Sequence, residues 1–209
     1  MEVLNRHERT NSGGRAKLAR LARRAGYYLA VTLCLLSIFH SSLLVTSQPL
    51  RAEEAAQVER AIDLLDAKGF SHEAFLLRRL TIFRNSDNWL NQMTDKENAF
   101  AATNFPLNIV TLYPDFFIKA KDDTERAMIL LHEVQHMQGA DEHEAYGFAW
   151  RNRHRLGWTI LTHGTTESYV TIELLTREIA PEIFTCKDKI WNDCTETLPA
   201  RPPTIARGE

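Results

Sequence analysis

The longest apolar stretch of the chain lies near its N-terminus, at residues 27–46, where YYLAVTLCLLSIFHSSLLVT contains no Asp, Glu, Lys or Arg. A helix of about 20 such residues suffices to cross the roughly 30 Å hydrocarbon core of a bilayer. The apolar part of a cleaved signal peptide is usually shorter, about 7 to 15 residues, so cleavage is the less favoured alternative. We therefore expect a transmembrane signal anchor at residues 27–47.

The segment before this stretch, residues 1–26, is basic, with seven Lys and Arg against two Glu. Positive charges beside a membrane span hold that side in the cytoplasm. The pattern therefore predicts a single-pass membrane protein with a cytoplasmic N-terminus and an exported C-terminal domain, periplasmic or extracellular. That domain is expected at residues 48–198 and is followed by a flexible tail at residues 199–209.

Helical periodicity dominates the exported part. Four apolar residues follow the i, i+3, i+4, i+7 spacing of one helix face before Gly69 ends the pattern: Val58, Ala61, Ile62 and Leu65. A later helix is predicted between Thr165 and Pro181, and four of its residues form an apolar stripe that predicts a core position: Tyr169, Ile172, Leu175 and Ile179.

One segment is typical of a strand. Residues 105–113 are rich in β-branched and aromatic side chains, and prolines at 106 and 114 bound the run. Because proline cannot donate a backbone hydrogen bond, we expect an edge strand. The predicted fold class is therefore mostly α with a small β element (α+β).

The most informative helix is predicted from Asp122 to Gly139. Asp122 with Glu125 three residues later forms a capping-box pattern, and Gly139 supplies a left-handed stop. His132 and His136 lie one turn apart on one face of this helix. Both imidazoles can bind one Zn²⁺ at about 2.0 to 2.1 Å, and Glu133 can reach a reacting water. Other divalent metals remain possible with these donors.

The net charge and the cysteines indicate which partners to exclude and which compartment to expect. A net charge of -2 and a pI near 6.5 give no clustered positive surface for a nucleic-acid partner. Apart from Cys34 in the apolar stretch, the cysteines are Cys186 and Cys194, which can close a short loop by a disulfide. Such a bond suits an exported domain.

Two stretches resemble the zincin metallopeptidases, and specifically a compact gluzincin: the HExxH sequence from Leu131 to His136 and the sequence EHEAYGFA from Glu142 to Ala149. In membrane-bound CAAX prenyl proteases and bacterial antitoxin-cleaving peptidases, the first Glu of an E-x-x-A pattern is the third metal ligand. The resemblance thus implies a minimal zincin-like domain with His132, His136 and Glu142 as ligands and Glu133 as general base. The short spacing is also similar to the metzincin frame, with Gly139 in register, although no methionine follows Met137 to form a Met-turn.

Two neighbours of Glu142 are alternative ligands. Asp141 is well placed to cap the next helix, which puts Glu144 at the third helical position, where its carboxylate can close a capping box. This argument favours Glu142 as the ligand over Glu144. His143 is a further alternative nitrogen donor.

The function that the resemblance implies is zinc-dependent hydrolysis of peptide bonds, with a peptide or protein as substrate. Candidate donors to the reacting carbonyl oxygen are Tyr146, Tyr169, His154 and His163. Two other functions stay open: a zinc amidase acting on a non-protein amide such as a cell-wall amide, and a non-catalytic sensor or scaffold with a structural zinc.

The basic segment before Tyr27 leads to a prediction about topology. Because Lys and Arg concentrate on that side, a reporter enzyme fused after Glu209 should be active outside the cytoplasm, and the chain should stay in the membrane fraction. Reporter activity and carbonate extraction of membranes measure both properties. A cytoplasmic C-terminus would contradict the predicted topology.

Overall fold

The computed structural model describes residues 2–93, 99–188 and 192–195, with side chains from Lys17 onward. The chain is mostly helical with a small three-stranded sheet, which confirms the predicted α+β class. It divides into two compact units, Met1–Thr46 and Ser47–Glu209. The tail predicted at residues 199–209 lies outside the described residues.

The first unit is one helix, α1 (Glu2–Thr46). Its portion Lys17–Thr46 has a mean hydropathy of 2.0 in its most apolar 18-residue window, so it is long and apolar enough to cross a membrane. Signal sequences near an N-terminus share this length and composition. The helix begins well before the predicted start at residue 27, because the basic segment continues the same helix.

The second unit begins with two helices and a short strand and ends with helices around the predicted site. Its elements in chain order are α2 (Ala52–Ala67), α3 (Ser71–Leu80), β1 (Ile82–Arg84), β2 (Ala101–Asn104), β3 (Ile109–Leu112), α4 (Pro114–Ile118), α5 (Asp123–Met137), α6 (Glu142–Leu156), α7 (Ile160–His163) and α8 (Glu167–Ile179). Short 3-10 turns lie at Asn91–Met93 and Pro181–Phe184.

The sheet has the order β1-β3-β2, with β3 parallel to β1 and antiparallel to β2. The predicted edge strand, β3, is therefore the central strand, and that expectation was wrong. The physical reason is that Pro106 and Pro114 lie outside Ile109–Leu112, so every residue of the strand keeps its donor, and all four residues are buried. Among the described residues, β2 has no strand on its outer side.

Helix α5 lies at the centre of the unit. Ten of its fifteen residues are buried, and it packs against α2, α3, α6 and β2. The predicted apolar face of α2 is confirmed, since Val58, Ala61, Ile62 and Leu65 are buried in the same core. Burial of several such side chains, at about 1.5 to 3 kcal/mol each, holds α5 in place.

The N-terminus of α5 is capped as predicted, because the Asp122 side chain accepts hydrogen bonds from the backbone N–H groups of Thr124 and Glu125. The predicted capping box does not form. The carboxylate of Glu125 is fully buried and accepts instead from the Lys121 backbone N–H at 2.6 Å and from the Thr166 hydroxyl. Glu125 therefore joins the start of α5 to Thr166, the N-cap residue of α8.

The predicted disulfide between Cys186 and Cys194 is present. Beside it, the Asp193 carboxylate accepts from the Trp150 indole at 2.7 Å and from the Arg153 guanidinium at 2.9 Å. Both side chains of the Arg153–Asp193 pair are buried. The short loop closed by the disulfide thus supplies a buried counter-charge to helix α6.

This buried pair generates a stability prediction. Asp193→Ala removes a carboxylate from buried Arg153 and from the Trp150 indole, so it should lower the free energy of unfolding by about 3 kcal/mol or more. Asp188→Ala is the matched control, because Asp188 is an exposed residue of the same loop. Chemical denaturation of both variants measures the difference. Equal stability of the two variants would show that the pair contributes little.

Candidate metal centre

The candidate site forms where the chain reverses between α5 and α6. Helix α5 ends at Met137, and Gly139 adopts the left-handed conformation with φ +89°. A side chain there would strain the backbone, so glycine suits this turn. Asp141 then caps α6 by accepting from the Glu144 backbone N–H, as predicted. This reversal brings Glu142, the first residue of α6, opposite the histidines of α5.

Three donor atoms converge at this reversal. The Nε2 atoms of His132 and His136 are 3.0 Å apart, and Glu142 Oε2 lies 3.5 Å from each of them. A tetrahedral ion with ligands at about 2.0 to 2.1 Å separates its ligand atoms by roughly 3.3 Å. The triangle therefore fits a small divalent metal, and two imidazoles and one carboxylate are donors that zinc and other divalent transition metals accept.

The surroundings of the two imidazoles favour this geometry. His136 Nδ1 lies 2.9 Å from the backbone carbonyl of Ala140. A proton on Nδ1 that donates to this carbonyl leaves the Nε2 lone pair free for a metal. The ring of His132 packs against the ring of Tyr146, with centroids 4.3 Å apart. Its Nδ1 atom is buried without a hydrogen-bond partner in the described part of the chain.

The electrostatics of the site favour a cation. The hydrogen bonds with His132 and His136 outweigh burial and hold the pKa of Glu142 far below its usual range. Burial lowers the pKa of His136, but the hydrogen bonds with Glu142 and Ala140 and the charge of Glu133 outweigh it and raise the pKa to about 9. The carboxylates that favour a proton on His136 favour a divalent cation at the same place.

Glu133 lies beside the triangle and is not part of it. Its side chain is 4% exposed, and its Oε2 atom accepts a hydrogen bond from the Thr103 hydroxyl at 2.7 Å. Thr103 belongs to β2 and was not identified from the sequence, because no local pattern relates residue 103 to residue 133. A hydroxyl residue in a short strand upstream of HExxH is the only sequence signal, and it is weak.

A cleft of about 520 Å³ contains the three donors and Glu133. One side is the strand β2, from which Ala101, Ala102 and Thr103 line the cleft. An apolar part of the lining comes from α8 and includes Ile172, Leu175 and Ile179. The sequence pattern predicted these three residues as core with Tyr169, but they are only partly buried and face the cleft, whereas Tyr169 packs in the core.

Of the residues predicted as donors to the reacting carbonyl oxygen, the described structure places one in the cleft and the others outside it. Tyr146 lines the cleft, and burial followed by the charges of Glu142 and Glu133 raises the pKa of its hydroxyl, so the hydroxyl stays protonated at neutral pH.

The structure places the remaining candidates elsewhere. His143 contacts Glu182 at 3.1 Å, and His163 contacts Asp122 at 3.0 Å. Glu144 is exposed and does not belong to the donor cluster, and its carboxylate forms no capping box with Asp141 in the described structure. Neither Tyr169 nor His154 lines the cleft.

The donor triangle generates a prediction about metal binding. His136→Ala or Glu142→Ala removes one of three donors and should weaken zinc binding by at least about 10-fold, since even outer-shell changes cost 10- to 100-fold. Glu144→Ala is the matched control, because Glu144 lies two residues along the same helix and outside the cluster. Competition against a zinc chelator measures the affinities. Loss of zinc in the Glu144 variant, with retention in the Glu142 variant, would transfer the third position to Glu144.

Comparison with protein-family models, with curated proteins and with solved structures finds no match to this chain.

Proposed function

We propose that the chain is a zinc-dependent metallopeptidase in which His132, His136 and Glu142 hold the metal and Glu133 is the general base. One observation carries the proposal: a buried carboxylate lies in the same cleft as a triangle of metal donors, and the cleft is also lined by β2, whose outer edge has no strand partner among the described residues. The donors alone are compatible with a structural metal. The neighbouring base and the strand edge give the cleft the parts of a hydrolytic site.

Bound zinc supplies a Lewis acid that polarises the substrate carbonyl. Glu133 takes a proton from the attacking water while the water oxygen bonds to the carbonyl carbon. The same carboxyl then gives a proton to the leaving nitrogen as the carbon–nitrogen bond breaks, so the products are a carboxylic acid and an amine. Tyr146 is the proposed donor to the carbonyl oxygen, since this residue lines the cleft and its hydroxyl stays protonated.

The edge strand β2 supports a peptide as the substrate. The Tyr113 backbone N–H bonds the Phe100 carbonyl, so Phe100 and Tyr113 form a hydrogen-bonded pair of the antiparallel ladder. Such pairs alternate along the ladder, so the N–H and C=O groups of Ala101 and Thr103 point away from β3. An extended peptide can pair with these groups by β-strand addition, next to Glu133.

The lining of the cleft supports an uncharged substrate side chain. Apart from the two histidines, its charged residues are Glu133 and Glu142, and among the described residues the lining contains no Lys or Arg. The partly buried apolar groups of α8 lose contact with water when an apolar side chain covers them. We therefore propose cleavage beside an apolar residue and not beside a phosphorylated or acidic one.

The donor set also bears on the alternative of a structural zinc. Structural sites usually have four protein ligands, whereas catalytic sites have three. In the described part of the chain, His132, His136 and Glu142 form the cluster without a fourth donor, and His143 is engaged with Glu182. This composition favours catalysis over a sensor or scaffold.

The long apolar helix α1 supports a proposed location. The length and composition of this helix, together with the basic residues before it, support the proposal of a single-pass membrane protein whose catalytic unit is exported. The disulfide is compatible with an oxidising compartment.

The role of Glu133 generates the central prediction. Glu133→Gln keeps the size of the side chain and leaves the three donors intact, so zinc content should stay near that of the parent while hydrolysis falls by about 100-fold or more. Digestion of an unbiased library of quenched fluorescent peptides by the full chain measures hydrolysis, and metal analysis measures zinc. Glu144→Gln is the control for changing a nearby carboxylate.

Two outcomes contradict the proposal in different ways. Unchanged cleavage by the Glu133 variant removes the general base from the proposal. Absence of peptide cleavage by the zinc-loaded parent, with cleavage of non-protein amides such as cell-wall fragments, assigns the site to the amidase class.

A further inference from the structure

The contact between Thr103 and Glu133 joins the proposed base to the strand edge. The Thr103 hydroxyl donates to Glu133 Oε2 at 2.7 Å and also lies 3.4 Å from the Glu133 backbone oxygen. Both residues line the cleft. We propose that Thr103 is a positioning residue that fixes the Glu133 carboxylate relative to the edge where the substrate pairs. The inference rests on the proposed function.

The hydrogen bond restricts the carboxylate in two respects. A carboxylate has two oxygens with about two acceptor sites each, and the bond to Thr103 takes one site of Oε2 and leaves both sites of Oε1, so we assign the proton taken from water to Oε1. The side chain of threonine is branched at Cβ and has restricted χ1 freedom, which fixes the direction of its hydroxyl. Without this contact, rotation about the last side-chain bond of Glu133 would exchange the two oxygens.

Two features hold the backbone of Thr103 in place: the pairing of β2 with β3 and the side-chain hydrogen bonds of the next residue, Asn104. β2 pairs with the buried central strand β3, with Thr103 opposite Val110. The next residue, Asn104, donates from its amide to Asn91 at 2.7 Å and accepts from buried Asn88 at 2.8 Å. The hydroxyl therefore belongs to a strand whose next residue is held by two side-chain hydrogen bonds, with Asn91 and Asn88.

The backbone of the same residue belongs to the substrate edge. The N–H and C=O groups of Thr103 point outward, where a substrate strand would pair, while its hydroxyl points to Glu133. One residue thus sets the distance between the scissile bond and the base. A displacement of about 1 Å in such an arrangement can cost about 100-fold in rate.

The kinetic test uses Thr103→Val, Thr103→Ser and Thr81→Val in the full chain, with the peptide that the parent cleaves fastest in a quenched fluorescent library. Thr103→Val keeps the shape and removes the donor, so kcat should fall by about 10-fold or more while KM changes by less than about threefold. Thr103→Ser keeps the donor and should restore kcat to within about threefold of the parent. Thr81 also donates from its hydroxyl, to the Leu76 carbonyl at 3.1 Å and to Met137 Sδ at 3.2 Å, and neither Thr81 nor Met137 lines the cleft, so Thr81→Val controls for the loss of a hydroxyl outside it.

A second measurement is independent of turnover. In metal-free full chain, Thr103→Val leaves the buried Glu133 oxygen without its donor, so the melting temperature should fall by about 3 °C or more. In the Glu133→Ala background the same change should have almost no effect, because no carboxylate remains to satisfy. Equal losses in both backgrounds would show that Thr103 does not act on Glu133.

The outcomes separate this inference from the proposed function. If Glu133→Gln abolishes cleavage while Thr103→Val keeps the parent kcat, the base is correct and the positioning role is wrong. Failure of Thr103→Ser to rescue kcat also overturns the positioning role. If the parent cleaves no peptide, the proposed function fails, and the role of Thr103 in catalysis fails with it.

Discussion

The short reversal between α5 and α6 is the constraint on which the candidate site depends. Two histidines on one helix provide two donors at helical spacing, but the third must come from elsewhere in the chain. Gly139 turns the backbone in a conformation that other residues adopt with strain, and Asp141 begins α6 at once. The Ala140 carbonyl within this turn contacts His136, so the reversal both delivers Glu142 and orients a ring that faces it.

The reversal places Glu142 opposite the two histidines only if α5 is itself held in position. The helix is buried along most of its length, and hydrogen bonds hold its start and, through Glu133, its second half. At the start, Asp122 and buried Glu125 connect it to His163 and Thr166, which precede and cap α8. Packing therefore holds the sides of the helix, whereas the hydrogen bonds at its start join it to α8, which lines part of the cleft.

Local features of the chain were predictable from the sequence, and the reason is their short range. The apolar face of α2, the cap at Asp122, the stop at Gly139 and the disulfide each depend on residues close together in the chain. The strand order depends on pairing between distant segments, which periodicity cannot specify. The sequence Ala101–Asn104 has little apolar alternation, so β2 and the contact of Thr103 with Glu133 were not foreseen.

The stripe on α8 shows a further limit of pattern analysis. Apolar residues at helical spacing indicate a face that avoids water, but the same requirement holds for a core and for the wall of a cleft. On this stripe Tyr169 packs against Trp150 and Trp158, whereas Ile172 and the residues beyond it line open space. When another apolar group covers a partly exposed apolar wall, the free energy falls because apolar surface is removed from water. The unburied part of the stripe is thus the part of α8 to which the proposed function assigns contact with a substrate, and the buried part holds the wall in position.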